Sequence, residues 1–200
     1  MNKFFSLLLI SIFFVGCQIE NKVDKSELVT SMGVSLYEGN KYTGIAIENY
    51  DSGKLKSEEY FENGLLNGKA TTYYENGQID EKMFYVDSQQ HGDYIKYHDN
   101  GKVSATINFK FSLKDGEFLF YYPSGRLWKK GVYKMGVLNG KVYEYYDSEQ
   151  LKRVAEWKNG RKTGLLETYY ENGQLEMSAT LNNGRFEGEI KRFDQDGNPK

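Results

Sequence analysis

The chain has 200 residues and a formal net charge of −2, so it carries neither the basic excess of a nucleic-acid binder nor a strong bulk attraction to anionic lipid. Hydrophobic residues make up 39% and aromatics 16%, with 17 Tyr, 12 Phe and 21 Gly against 2 Pro. That mixture suits half-buried strands joined by tight turns rather than helices around a deep core.

The chain begins MNKFFSLLLISIFFVGC. Lys3 precedes an apolar run over 4–15, too short to span a bilayer as a helix and of the length of a secretory signal core. An ordinary signal-peptidase site needs small residues at two positions, and Phe14 is large. The sequence FVGC instead resembles the bacterial lipobox, which implies acylation of Cys17, the single cysteine. Residues 1–16 are then a removable signal peptide, and 17–35 an acylated cysteine with a flexible polar tether over 18–31. Gln18 is not the Asp that retains such lipoproteins at the inner membrane, so the expected place is the cell envelope, at the outer membrane of a diderm cell. Residues 36–43 read as a cap strand at the start of the folded body.

From there a 24-residue period takes over. Glycines fall at 44, 68, 92, 116, 140, 164 and 188, and a second series runs 53, 77, 101, 125, 173 and 197, with Glu149 in the missing place. Six repeats span 44–187, and 188–200 form a partial capping repeat. Each unit holds two strands. The first ends on an aromatic pair, as in KATTYY (69–74), EFLFYY (117–122) and LLETYY (165–170). A turn such as ENG or PSG follows, and then a second strand such as QIDEKMFY (78–85). Its anchors are Leu55, Ile79, Val103, Leu127, Leu151 and Leu175, with Phe61, Tyr85, Phe109, Tyr133, Trp157 and Leu181 six residues later. An even spacing places both on one face of a strand, whereas on a helix they would lie about 120° apart. Pro123-Ser124-Gly125 fits a type I turn completed by a residue at positive φ, the three-residue hairpin loop with a glycine bulge. Glu149 in that glycine slot is expected to cost on the order of 1 kcal/mol. With neither helices nor long linkers between hairpins, the expected fold is all-β: an elongated, curved antiparallel meander of stacked hairpins, about 13 strands and about 60 Å long.

The segments YYENGQL…NGRFEG and YYENGQI…HG, with the opening LYEGNKYTG (36–44), resemble the bacterial variant of the MORN repeat, as in the YwqK-type antitoxin family. The resemblance covers about 36–198 and implies stacked hairpins in a long curved sheet. It also implies an antitoxin or immunity role, although an exported chain departs from a cytoplasmic antitoxin.

The chain offers little catalytic chemistry. His91, in an inter-hairpin turn, and His98, in the Tyr column, lie seven residues apart without further ligands, so no metal site is expected. Asp51, Glu75, Asp99, Asp147 and Glu171 share a turn-tip column that gives no burial or fixed geometry. No P-loop or nucleophile elbow occurs. Neither an enzyme nor a cofactor is expected. The aromatic pair supplies two stripes on opposite faces: Tyr73, Tyr97, Tyr121, Tyr145, Tyr169 and Phe193 on one, and Tyr50, Tyr74, Tyr122, Tyr146 and Tyr170 on the other, interrupted by His98. The second stripe is the candidate binding surface, since Tyr offers apolar area with a polar tip. The expected function is a membrane-anchored interaction module for a protein partner, a toxin or an envelope protein. The alternative is a lipoprotein that binds an envelope glycan or wall ligand.

Overall fold

A computed structural model describes residues 21–200; the signal segment and Cys17 lie outside the described residues. The repeats form one open 16-stranded sheet. First-type strands (Gly44–Asn49, Leu65–Tyr73, Gly92–Tyr97, Leu113–Tyr121, Gly140–Tyr145, Arg161–Tyr169, Arg185–Arg192) alternate with second-type strands. The latter are Leu55–Glu62, Ile79–Val86, Val103–Lys110, Leu127–Lys134, Leu151–Lys158 and Leu175–Asn182. Each pairs antiparallel with its neighbours in this series, so every ladder among these repeat strands is made between neighbours in the sequence. Among the described residues helix is confined to a single 3-10 turn, Lys25–Glu27.

The sheet has two edges of turns, built differently. On the first, Tyr74 N–H donates to the Gln78 carbonyl and Gly77 N–H to the Tyr74 carbonyl, both at 2.8 Å. This is the expected three-residue loop, with Gly77 at φ +87°. Glu149 is held at φ +70° in the same slot. On the second edge, two-residue turns join one hairpin to the next, both residues at positive φ, as in Asn63 (+52°) and Gly64 (+82°). That is the primed turn, whose twist matches the strands. Ser88 and Ser112 replace the second glycine here, and their hydroxyls accept from the N–H groups of Leu66 and Gln90 at 3.0 Å.

The two faces are unequal. Ala46, Phe61, Ala70, Ala105, Ile107, Phe118, Val142, Ala155, Leu166, Ala179 and Leu181 are buried, and the pairings place them on one face. Phe118, only 1% exposed, is covered without a second layer, so this face is the inner side of the sheet. Gly131, opposite Phe118, makes room for its ring: a Cβ there would lie 2.7 Å from Phe118 Cε1 and 2.9 Å from Val142 Cγ2. This glycine serves packing, so turns do not account for every glycine.

Two expectations need correction. Residues 22–35 are not a tether. Lys22–Asp24 is a strand parallel to Gly44–Asn49, and Val29–Ser31 and Val34–Tyr37 begin a small second sheet. Val23 is buried in a cluster with Tyr42, Ala46 and Phe61, so a few apolar residues suffice to seat a polar stretch. The second concerns the strand anchors. Leu55 pairs with Asn49 while Ser57 pairs with Glu48, so a bulge adds one residue to the second strand. The even spacing from Leu55 to Phe61 therefore does not bring them to one face.

Candidate functional site

The Tyr50 stripe is a row of clasps. Each hydroxyl donates to the carbonyl that ends the first strand of the next unit: Tyr50 to Tyr73 (2.6 Å), Tyr74 to Tyr97 (2.7 Å), Tyr122 to Tyr145 (2.8 Å), Tyr146 to Tyr169 (2.9 Å) and Tyr170 to Phe193 (3.0 Å). His98 fills the gap, its Nε2 3.0 Å from the Tyr121 carbonyl. The turn asparagines act alongside. Asn76, Asn100 and Asn172 accept from the N–H two residues on, and their Nδ2 groups reach the carbonyls of Asp99, Pro123 and Gln195 in the following turn. The recurrent YYENGQ thus closes its own hairpin and fastens it to the next. The distance from each second Tyr to the end of the next first strand is constant in the sequence, but spacing alone does not name a backbone carbonyl as the acceptor. These hydroxyls are engaged, so the stripe offers a partner ring edges rather than donors.

The opposite stripe is partly bound by charge. Tyr73 donates to Glu58 at 3.2 Å and Tyr169 to Glu167 at 2.7 Å. Lys82 Nζ lies 5.5 Å from the Tyr97 ring, and Lys130 Nζ lies 5.2 Å from Tyr143 and 5.9 Å from Tyr145. Carboxylates of the turn-tip column, among them Asp51, Glu75, Asp99 and Glu171, are exposed. His91 stands against Phe111, ring centroids 5.4 Å apart.

Sequence reasoning passed over the inner face beside the clasps. Here Glu48, Thr72, Lys96, Phe120, Glu144 and Thr168 occupy one column. Lys96 reaches Glu81 at 2.7 Å and Asp80 at 3.2 Å, and those hydrogen bonds and charges raise its pKa. Glu144 is held between Lys129, at 3.1 Å, and Arg153. Burial alone would raise the Glu144 carboxyl, but the hydrogen bonds from Arg153 and Lys129 outweigh it and hold its pKa below the ordinary value. These groups, with Val142, Ala155, Trp157 and Lys162, line a cavity of about 250 Å³. Next to Lys129 on the strand Leu127–Lys134, the indole of Trp128 is 43% exposed and leans on Phe120 and Tyr122, ring centroids 6.1 and 6.2 Å away. The arrangement can hold charged and aromatic groups of a ligand.

A family model described as MORN repeat variant matches residues 42–63, 66–87, 90–111, 114–135, 138–159 and 162–183. No curated protein matches the chain. The six matched segments follow the 24-residue period through well over half of the chain, which belongs to the MORN repeat variant family.

Proposed function

We propose that this MORN-repeat chain is a non-catalytic interaction module, anchored to the cell envelope through a lipid on Cys17, that holds a protein partner on the inner face of its sheet. One observation carries the reading. The groups that fasten unit to unit recur with the period, whereas the inner-face column Glu48, Thr72, Lys96, Phe120, Glu144, Thr168 changes chemistry at each step. A constant scaffold presenting a varied, half-buried row of side chains is what selective recognition requires, because a partner must match each of them in shape and charge. An immunity role against a secreted toxin uses this same surface.

The test is capture from native membranes with the acylated protein and with a Lys96→Glu/Glu144→Lys variant. A protein recovered by the first and lost by the second supports the reading; recovery of the same proteins by both overturns it. The anchor is tested by Cys17→Ser in the native host. Unchanged fractionation and unchanged mature mass would return residues 4–15 to an ordinary secretory signal. A second reading, an envelope glycan, is favoured by the exposed Trp128 platform with Phe120 and Tyr122, since sugars stack on such surfaces. Binding on a glycan array that disappears in Trp128→Ala would select it.

A further inference from the structure

The inner face is an internal control for its own packing, because each column of the sheet is filled in every unit by a different residue. In the column of Val142 the preceding unit has Phe118 and the following one Leu166. Phe118 stands against Gly131, and its ring centroid lies 5.2 Å from that of Phe120 and 4.9 Å from that of Tyr133. Leu166 stands between Ala155 and Ala179 and forms a buried cluster with Ala155 and Leu181. Val142 is the smallest of the three and faces Ala155, which is small as well. Two residues on, Glu144 takes the place that Phe120 has one unit earlier. The space that two rings fill there is left here as the cavity of about 250 Å³.

The walls of this cavity are chemically specific. Val142 and Ala155 are buried and form its apolar side together with Trp157. The Trp157 Nε1–H is buried and meets no acceptor among the described residues. An indole nitrogen can only donate, so its partner must bring an acceptor oxygen or its like. No other residue of that column, Phe61, Tyr85, Phe109, Tyr133 or Leu181, carries a side-chain N–H. Lys162 pairs with Trp157 across the ladder, its Nζ 5.4 Å from the ring centroid, and makes no ion pair among the described residues. Lys129 and Arg153 share the one carboxylate of Glu144, and Arg153 uses only Nη2 on it. Three cations and one anion thus line the cavity, three minus one leaving a formal surplus of two positive charges. Glu156, beside Trp157, belongs to the other face, 3.8 Å from Lys141.

We propose that this cavity binds a carboxylate borne on a short apolar group. The carboxylate oxygens accept from Trp157 Nε1–H, from Lys162 and from the remaining N–H groups of Arg153, while the apolar group lies on Val142 and Ala155. An anion with no apolar part, such as phosphate, would leave those walls against water. A neutral apolar group would cover the surplus cations without a counter-charge. The same chemistry is offered by a free small carboxylate and by the carboxyl end of a chain. In the second form the inference rests on the partner reading and names what the partner presents at this point of the inner face; in the first it stands alone. The departure from the repeat pattern at Val142 and the unpartnered indole N–H together carry it.

A heteronuclear magnetic-resonance spectrum of the full chain, isotope-labelled at tryptophan, tests it. The chain has 2 Trp, so Trp157→Phe identifies the indole N–H signal of Trp157. Hexanoate is expected to move that signal saturably, with a Kd of about 1 mM or below at low salt, and to leave the Trp128 signal in place. Hexanamide, of the same shape without the charge, and inorganic phosphate should each bind at least about tenfold more weakly. Val142→Leu fills the cavity with the residue that this column carries at Leu166 against alanine, so the fold is kept and the shift should vanish. Lys162→Gln should weaken hexanoate binding about fivefold or more. Acetyl-dialanyl-leucine with a free carboxyl end, run beside its amide, separates the sources. A response to this peptide alone assigns the site to a chain end, and a response to hexanoate assigns it to a small carboxylate. No shift with either, hexanamide or phosphate as effective as hexanoate, or unchanged binding by Val142→Leu overturns the proposal. No cellular partner is present, so failure here leaves the partner reading to its capture experiment, and failed capture would leave a hexanoate isotherm standing.

Discussion

The clasp assigns different energies to two neighbouring tyrosines, and Tyr122→Phe against Tyr121→Phe measures it. The Tyr122 hydroxyl donates to the Tyr145 carbonyl at 2.8 Å. No such bond is made by Tyr121, although both rings are half-buried. A net intramolecular hydrogen bond contributes about 0.5–1.5 kcal/mol. The site is half-buried, so water can reach the released carbonyl, and about 1 kcal/mol is the expected loss for Tyr122→Phe. For a domain of this size that corresponds to a fall in Tm of about 2–4 °C. Tyr121→Phe removes no such bond and should change Tm by less than about 1–2 °C, the range of substitutions away from specific features. Differential scanning calorimetry of both variants at neutral pH is the assay. The clasp lies between two units, so its loss also weakens the coupling that makes the array melt as one, and the transition for Tyr122→Phe should broaden. Equal midpoints for the two variants, or a larger loss for Tyr121→Phe, would refute the reasoning.

Other expectations follow from single contacts. Gly131→Ala places a methyl against Phe118 and Val142 and should cost about 1–3 kcal/mol, read by urea unfolding; a neutral result would show that the Phe118 ring can move aside. Glu149→Gly relieves a residue held at φ +70° and should raise stability by about 1 kcal/mol, with a matching rise in the urea midpoint and no change in slope. Glu144 is held below its ordinary pKa, so the stability it contributes is present above the unfolded value of about 4.3 and is lost as pH falls through the folded value. Glu144→Gln should therefore destabilise at neutral pH and flatten the stability curve below about pH 4; an unchanged curve would mean that the carboxylate is not held by Lys129 and Arg153.

Whatever depends on near neighbours was legible in the sequence. The 24-residue period, the strand pairs, the glycine-bulge turn, the misfit at Glu149 and the absence of helix from the repeats all follow from local rules, since each strand pairs with the next along the chain. Membership of the MORN repeat variant family was legible for the same reason. What tertiary structure decided was the role of each side chain across units. The tyrosines chosen as a binding stripe proved to be clasps, because their partners are carbonyls 23 residues away that no composition or spacing names as acceptors. A one-residue bulge reversed the facing inferred for Leu55 and Phe61, since strand parity survives only while the ladder is unbroken. The packing role of Gly131 appears only where the Phe118 ring fills the space a side chain would take. The polar segment at 22–35 became strands because Val23 found a pocket made by Tyr42, Ala46 and Phe61, residues that only folding brings together. The period is written in one dimension; which face a residue shares, and with whom, is set by bulges and contacts that exist only once the sheet has formed.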